Sequence, residues 1–454
     1  MWLDALTATE EKQLNNSIGQ NSFQDTRSYI LKEVKLLIFT YAPTGLGHLR
    51  VTDALVDSRP KNIPFVLVDE NDSFVTWAHR FTSNNPFGKF IFLRSQYGVF
   101  EELFVKAYVH FLTTHTKTLF EQMKHIIAHG NEVDEIWIVT THFGTAHQIG
   151  AIKEKLMMVT GKKIRLVVQV TDDTYQHIWC VRGADLTFLP SKFVKEKFES
   201  YTKRQGIEFN GQVLPYPLSP LLTAILPTSR GKRSDVFTNN GDTVRVAVPI
   251  SGAAVGVPYL IQLIMKLREL SSRFEFWVLI KKNVYTKLYI SILSKIAGVI
   301  VVVAKTDTEM VDLYELMYKQ NMIHLEVTKP SEQAFKAIIS PRRVGGSVLL
   351  FTAPVGRQEI DNLDFLARHE LVQRQRKGQE TMSLDSVPDS LRSIILAKDP
   401  TSAARFIFWA TESGLFAKMT DINFSFSKHS LSSHEIGPDG TRLFWEKLAE
   451  KFGK

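Results

Sequence analysis

Leu36-Leu-Ile-Phe39, then Tyr41-Ala-Pro-Thr-Gly-Leu-Gly-His48, then the helix-like run Leu49–Leu55 together constrain the fold of this chain most strongly. An apolar β-type run, a turn broken by two glycines and an amphipathic run describe a strand feeding a helix across exposed backbone. Unpaired N–H groups in such a loop, and the helix N-terminus behind it, attract phosphate or a developing oxyanion. Gly45 and Gly47 let another molecule approach the main chain, and His48 places an ionisable imidazole there. Taken alone the turn is also compatible with a dinucleotide fingerprint lacking its third glycine, or with an ordinary helix-start histidine.

The pattern continues as alternation. Candidate strands at Leu36–Thr40, Ile63–Val68, Glu135–Thr140, Ile164–Val170 and Leu186–Leu189 are separated by helix-length segments such as Phe100–Ala128 and Gly144–Val159. Such alternation implies βαβ units and a parallel sheet. A polar stretch over 228–243 reads as a linker, after which strand, glycine turn and helix recur as Val244–Ile250, Gly252 to Gly256 and Tyr259–Ser272. Phe274–Ile280, Val299–Ala304 and Ser347–Phe351 continue the second set.

The expected class is therefore α/β, with two Rossmann-like domains. The first spans 1–227 and the second 244–400, with a helical extension over 401–454 whose last helix, from Thr441, returns to brace the domains. At 454 residues the chain exceeds one ordinary core.

Composition narrows the class. A 44% apolar and 22% charged chain is globular, and its single cysteine, Cys180, excludes a disulfide framework or a cysteine-built zinc site. The first residues lack the basic start and apolar run of a signal peptide, and no apolar stretch reaches bilayer length, so a cytoplasmic protein is expected. The net charge of +8 suits phosphorylated small molecules or an anionic membrane face. Without a nucleic-acid module or a long Lys/Arg block, nucleic acid is not an expected partner. Aromatics and cations mixed over Trp77–Phe100 fit a peripheral membrane contact, or core aromatics beside solvated cations. His142 and His147, five apart, do not make a metal pair, so neither metal nor cofactor is expected.

Two further constellations carry polar groups to strand ends. Thr171-Asp-Asp-Thr-Tyr-Gln-His-Ile-Trp179 begins where an apolar run ends, so Asp172 falls at a strand's carboxyl edge and could orient a hydroxyl or take its proton. His177 and Trp179 suit a sugar or polar-head pocket, although Asp172 as a turn cap and Trp179 as core are equally compatible with the spacing. Later, Lys329-Pro-Ser331 precedes Val348–Phe351, which breaks at Pro354 and Gly356 to release Arg357, Gln358, Glu359 and Asn362. Gln358 and Glu359 suit sugar hydroxyls and Arg357 suits diphosphate, though a plain turn with a first-turn acid has the same sequence.

In order, these segments resemble glycosyltransferase family 28, which includes monogalactosyldiacylglycerol synthases and processive diacylglycerol glucosyltransferases. Thr44-Gly45-Leu46-Gly47-His48 is similar to its Thr-Gly-Gly-Gly-His turn. Thr171-Asp172, His177, Trp179 and Gly183-Ala-Asp185 resemble the glycolipid-synthase stretch. Ser251-Gly252 to Gly256, Lys329-Pro330 and Val355-Gly356-Arg357-Gln358-Glu359 with Asn362 resemble the donor motifs.

The resemblance implies a GT-B fold with the domains facing across a cleft. It implies metal-independent, inverting hexosyl transfer from a nucleotide diphosphate sugar, expected to be a UDP-sugar, to a lipid or lipid-linked acceptor. His48 or Asp172 would act on the acceptor hydroxyl, with Thr44, Gly45, Gly47, His177 and Trp179 around the acceptor. Ser251, Gly252, Gly256, Lys329, Ser331, Gly356, Arg357, Gln358, Glu359 and Asn362 would hold the donor. Ser331-Glu332 replaces the family's Gly-Gly, Ala337 its ribose-associated Glu, and Arg357 is additional, which implies an altered donor site. A non-catalytic sugar-nucleotide or glycolipid binder and a sugar-nucleotide epimerase are the rival expectations.

Overall fold

The computed structural model describes residues 34–41, 46–61, 63–69, 98–129, 133–239, 241–250, 254, 256–374, 387–421 and 434–453. The chain forms two compact units. Among the described residues, one comprises those between 34 and 219 with 356–361 and 434–453, and the other those between 220 and 355 with those between 362 and 421.

In the N-terminal unit, the described strands are β1 (Val34–Tyr41), β2 (Phe65–Asp69), β3 (Glu135–Thr140), β4 (Lys163–Gln169), β5 (Leu186–Leu189) and β6 (Gly211–Val213). They form one sheet in the order β2-β1-β3-β4-β5-β6, parallel at every pairing. Ile136, Trp137, Ile138 and Val139 of β3 are fully buried, as a central strand covered on both faces requires. Chain order reverses at the β1–β3 pair, because β2 lies on one side of β1 and β3 on the other. Crevices at the carboxyl ends of such strands are where ligands settle in open α/β sheets.

Helices α1 (Leu46–Asp57), α2 (Gly98–Thr114), α3 (Lys117–His129), α4 (Phe143–Thr160) and α5 (Lys192–Gln205) accompany this sheet. The single helix expected over Phe100–Ala128 is two. Thr114 Oγ1 bonds back to His110 O at 2.9 Å and His115 Nδ1 to Phe111 O at 2.8 Å. These side chains satisfy the last carbonyls locally and end the helix. α5 starts on Ser191, whose hydroxyl accepts from Val194 N at 3.2 Å, and ends on Gly206 at φ 59°.

In the C-terminal unit the described strands are β7 (Val244–Ile250), β8 (Phe274–Lys281), β9 (Val299–Ala304), β10 (Leu325–Thr328), β11 (Val348–Phe351), β12 (Val372–Arg374) and β13 (Ser393–Ile395). Their order is β12-β13-β11-β10-β7-β8-β9, again parallel throughout. Helices α6 (Val257–Leu270), α7 (Asp307–Gln320), α8 (Arg357–Arg368) and α9 (Pro400–Glu412) follow. α7 begins with Thr306 Oγ1 accepting from Glu309 N at 3.1 Å, while Glu309 Oε2 takes Lys305 N at 2.6 Å.

The expected linker over 228–243 lies inside this unit, and the passage between units falls at Ser219/Pro220. Its polar look is deceptive because Arg233 is fully buried. That guanidinium donates to Ile323 O, Pro341 O and Val344 O at 2.8, 2.5 and 3.0 Å, a set of acceptors that lets a charge sit in the core. The last helix, α10 (Gly440–Phe452), groups with the N-terminal unit. There Trp445 Nε1 donates to Leu55 O at 3.2 Å and Phe444 stacks near Phe188 at 4.7 Å. Among the described residues, no helix is long and apolar enough to cross a membrane.

Candidate functional site

The parallel register of β1 and β3 places their carboxyl ends side by side, with Thr40 opposite Thr140. The next described residues from each strand meet. His48, in the first turn of α1, directs Nδ1 to Thr141 O at 2.6 Å. A carbonyl can only accept, so Nδ1 carries the proton and Nε2 is the nitrogen able to receive one. The hydroxyls of Thr52 and Thr141 lie 2.9 and 3.1 Å from His48 O and 2.8 Å from each other. Ring and main chain of His48 are therefore both tied to the end of β3.

The end of β4 joins the same cluster. Thr171 Oγ1 lies 3.3 Å from His48 Nδ1 and donates to Asp172 Oδ2 at 3.4 Å. Tyr216 Oη holds Thr171 O at 2.9 Å. The two residues expected to act on an acceptor hydroxyl are thus brought together, with Thr171 between them. Asp172 is half-buried and reaches the imidazole through a hydroxyl, which suits orientation and charge balance better than direct proton abstraction.

The apolar wall of the site is aromatic. His142 meets His48 edge-on at 5.1 Å, and Trp179 lies 6.3 Å away. Trp179 is fully buried and belongs to the hydrophobic core of this unit. His142 caps α4, accepting from Thr145 N at its Nδ1. Burial, and then the neighbouring His48, push its pKa well below the ordinary histidine range, so it stays neutral beside a base that becomes charged.

The other expected acceptor residues are spread differently. Gly47 sits in the first turn of α1, while Thr44 and Gly45 lie outside the described residues. His177 stacks on Tyr201 at 3.8 Å, its N–H donates to Glu101 Oε1 at 2.9 Å, and its Nδ1 lies 3.5 Å from the same oxygen. The Gly183-Ala-Asp185 motif is architectural. Gly183, at φ 83°, passes against Gly150 of α4, while Asp185 Oδ2 takes Lys153 Nζ at 3.0 Å and Leu166 N at 2.7 Å.

Of the expected donor residues, 356–361 group with the N-terminal unit. Arg357 is buried there in an ion pair with Glu101 at 2.7 Å, its guanidinium over the Tyr175 ring at 4.2 Å. Asp361 takes Thr174 Oγ1 at 2.8 Å, and Gln358 meets Gln176 at 3.2 Å. Glu359 lies in the same first turn of α8. In the C-terminal unit, Gly256 starts α6 at φ 84°, and Ser331 follows Lys329-Pro330 at the end of β10. Asn362, which groups with this unit, donates to Pro330 O at 3.3 Å. Ser251 and Gly252 lie outside the described residues. Among the described residues, no three His, Cys, Asp or Glu side chains are grouped to hold a metal ion.

Thr52, Thr141 and His142 were not singled out as site residues from sequence. The available signal was that Thr140-Thr-His142 ends a strand as apolar as β3.

No protein-family description matches the chain, and no curated protein does. Solved structures do. The chain is similar to the UDP-GlcNAc 2-epimerase from Neisseria meningitidis, bound to UDP-GlcNAc, at 10% identity and TM-score 0.50, over 91% of this chain and 100% of that one. It is similar to S. aureus MnaA, in a co-structure with UDP, at 10% identity and TM-score 0.50, over 91% and 96%. Acinetobacter baumannii MurG is matched at 11% identity and TM-score 0.42, over 92% and 100%. At these identities the shared property is the fold, and the fold is GT-B.

Proposed function

We propose that this chain is a glycosyltransferase that moves a sugar from a nucleoside diphosphate, most simply UDP, to the hydroxyl of a lipid or lipid-linked acceptor. The observation that supports this reading is the His48 Nδ1–Thr141 O hydrogen bond at 2.6 Å, at the strand ends where sheet order reverses, which puts the ring proton on Nδ1 and the basic lone pair on Nε2. In the step envisaged, Nε2 takes the acceptor O–H proton as that oxygen bonds to the anomeric carbon. The bond from that carbon to the diphosphate oxygen breaks with inversion, and nucleoside diphosphate departs. Thr171 and Asp172 would stabilise the imidazolium through Nδ1–H.

Gly256, Lys329, Ser331 and Asn362 would hold the donor, with Ser251, Gly252, Gly356, Gln358 and Glu359. For Arg357 to bind diphosphate, its pair with Glu101 must open, so its contribution would depend on substrate. Steady-state assay of nucleotide release over a panel of nucleotide sugars, with and without glycerolipid or polyprenyl acceptors, tests the reading. Acceptor-dependent release supports it, and no release with any pair refutes it.

A second reading, a sugar-nucleotide 2-epimerase, is favoured by the TM-score of 0.50 to the Neisseria enzyme. Epimerisation at a C–H centre needs no acceptor and exchanges that hydrogen with solvent. Deuterium entering a UDP-sugar incubated alone with the protein would identify this activity.

A further inference from the structure

Between Glu275 and Asp307 the sequence carries Lys281, Lys282, Lys287, Lys295 and Lys305 and no acidic residue. The same stretch bears an outward apolar stripe. Val284, Tyr285 and Leu288 are 86%, 60% and 66% exposed, and Ile292 is also exposed. Leu288 and Ile292, four residues apart, share one face of the short helix Lys287–Leu293, and Val284 and Tyr285 lie in the turn that leads into it. Tyr289, Ile290 and Leu293, on its other side, pack into the core.

The tip is built rather than loose. Asn283 Oδ1 accepts from Tyr285 N and Thr286 N at 2.9 and 3.0 Å, and the fully buried Thr286 hydroxyl donates to Lys281 O at 2.7 Å. Three hydrogen bonds thus fix a turn whose exposed Val284 and Tyr285 are apolar. Such exposure is unfavourable for a surface that meets only water.

The charge around it selects the partner. Lys281 is paired with Asp307 at 2.6 Å, and Glu309 caps the backbone at Lys305, so the nearest acids in sequence are engaged. Lys282, Lys287, Lys295 and Lys305 are exposed, and the first three lie within three residues of the stripe in sequence. We infer that the Val284–Ile292 face docks on an anionic lipid surface, with Val284, Tyr285 and Leu288 entering the headgroup–acyl boundary and the lysines meeting lipid phosphates. Apolar burial and cationic attraction add at such an interface, each lysine near the surface strengthening binding about fivefold. This inference stands independently of glycosyl transfer.

Co-sedimentation of the full chain with phosphatidylcholine vesicles, with and without about one-third phosphatidylglycerol, tests it. Binding is expected to anionic vesicles, weakening as salt rises. Val284→Asp/Leu288→Asp and Lys287→Glu/Lys295→Glu are each expected to weaken it at least about tenfold, with thermal unfolding unchanged because the substituted side chains are exposed. Should the aspartate pair unfold the protein, Val284→Ser/Leu288→Gln serves in its place. Absence of binding to anionic vesicles, or binding unchanged in the variants, overturns the proposal. So does a wild-type dimer that the same variants dissociate, which would make this face a contact between copies.

Discussion

Replacing Lys336 with Met should destabilise the C-terminal unit far more than one substitution usually does. The ammonium is fully buried and donates to Glu326 Oε2 at 2.5 Å, Tyr314 Oη at 2.6 Å and Tyr318 Oη at 2.8 Å. Both tyrosines donate in turn to Glu326 Oε2, at 2.8 and 2.5 Å. Burial and the neighbouring carboxylate hold the Tyr318 phenol well above its ordinary pKa, so it remains a donor. Lys336→Met leaves the Glu326 carboxylate in the core without its cation, which costs about 3–5 kcal/mol. For a unit of roughly two hundred residues that lowers Tm by about 6–20 °C. Lys336→Met/Glu326→Leu removes both charges and should lose about 2 kcal/mol less than the sum of the single variants. Urea unfolding followed by tryptophan fluorescence, with calorimetry for Tm, measures all three. A single-variant loss below about 1 kcal/mol, or additivity in the cycle, refutes the claim that this pair is one cooperative charge network.

His147 is buried with Nε2 donating to Ile178 O at 2.8 Å, and burial lowers its pKa to about 4. The unfolded chain binds that proton from pH 6.5 downward and the folded chain does not until about pH 4, so stability falls with acid by roughly 3 kcal/mol across that window. His147→Gln should flatten that slope in unfolding titrations, and an unchanged slope contradicts the assignment. Gly440→Ala would drive a methyl group into the carbonyl oxygens of Pro215 and Tyr216, so a loss of about 1–3 kcal/mol is expected in thermal unfolding, and a neutral result contradicts that packing. Thr171→Val and Asp172→Asn should lower kcat about tenfold, less than loss of His48, because both act through Nδ1–H. Equal or larger effects than His48→Ala would make Asp172 the base.

Sheet architecture was the most legible part of the sequence. Glu135–Thr140, Leu186–Leu189, Val244–Ile250 and Val299–Ala304 are strands with the bounds their apolar runs suggest. β10 was not legible, because Glu326 in its middle reads as a surface residue and becomes a core residue only through Lys336, ten positions on and in another element. Nor was Arg233, whose carbonyl acceptors lie about a hundred residues away and turn a polar stretch into packed structure. At the candidate site, the positions of His48 and Asp172 beside strand ends were readable, and their roles are the proposal made above. Thr141 and Thr52 could not be named, since hydroxyls acquire a role only when parallel register sets them against His48. Gly183 and Asp185 were legible as a motif while their work, seating α4 on the following loop, was not.

The most direct test of the account is single-turnover transfer by wild type, His48→Ala and His48→Gln, on whichever nucleotide sugar and acceptor the panel yields. Donor binding is followed separately by calorimetry. With Nε2 as the base, both variants bind donor as wild type does and transfer at least about 100-fold more slowly. Transfer at the wild-type rate, or turnover that proceeds without an acceptor and depends on His48, would contradict it.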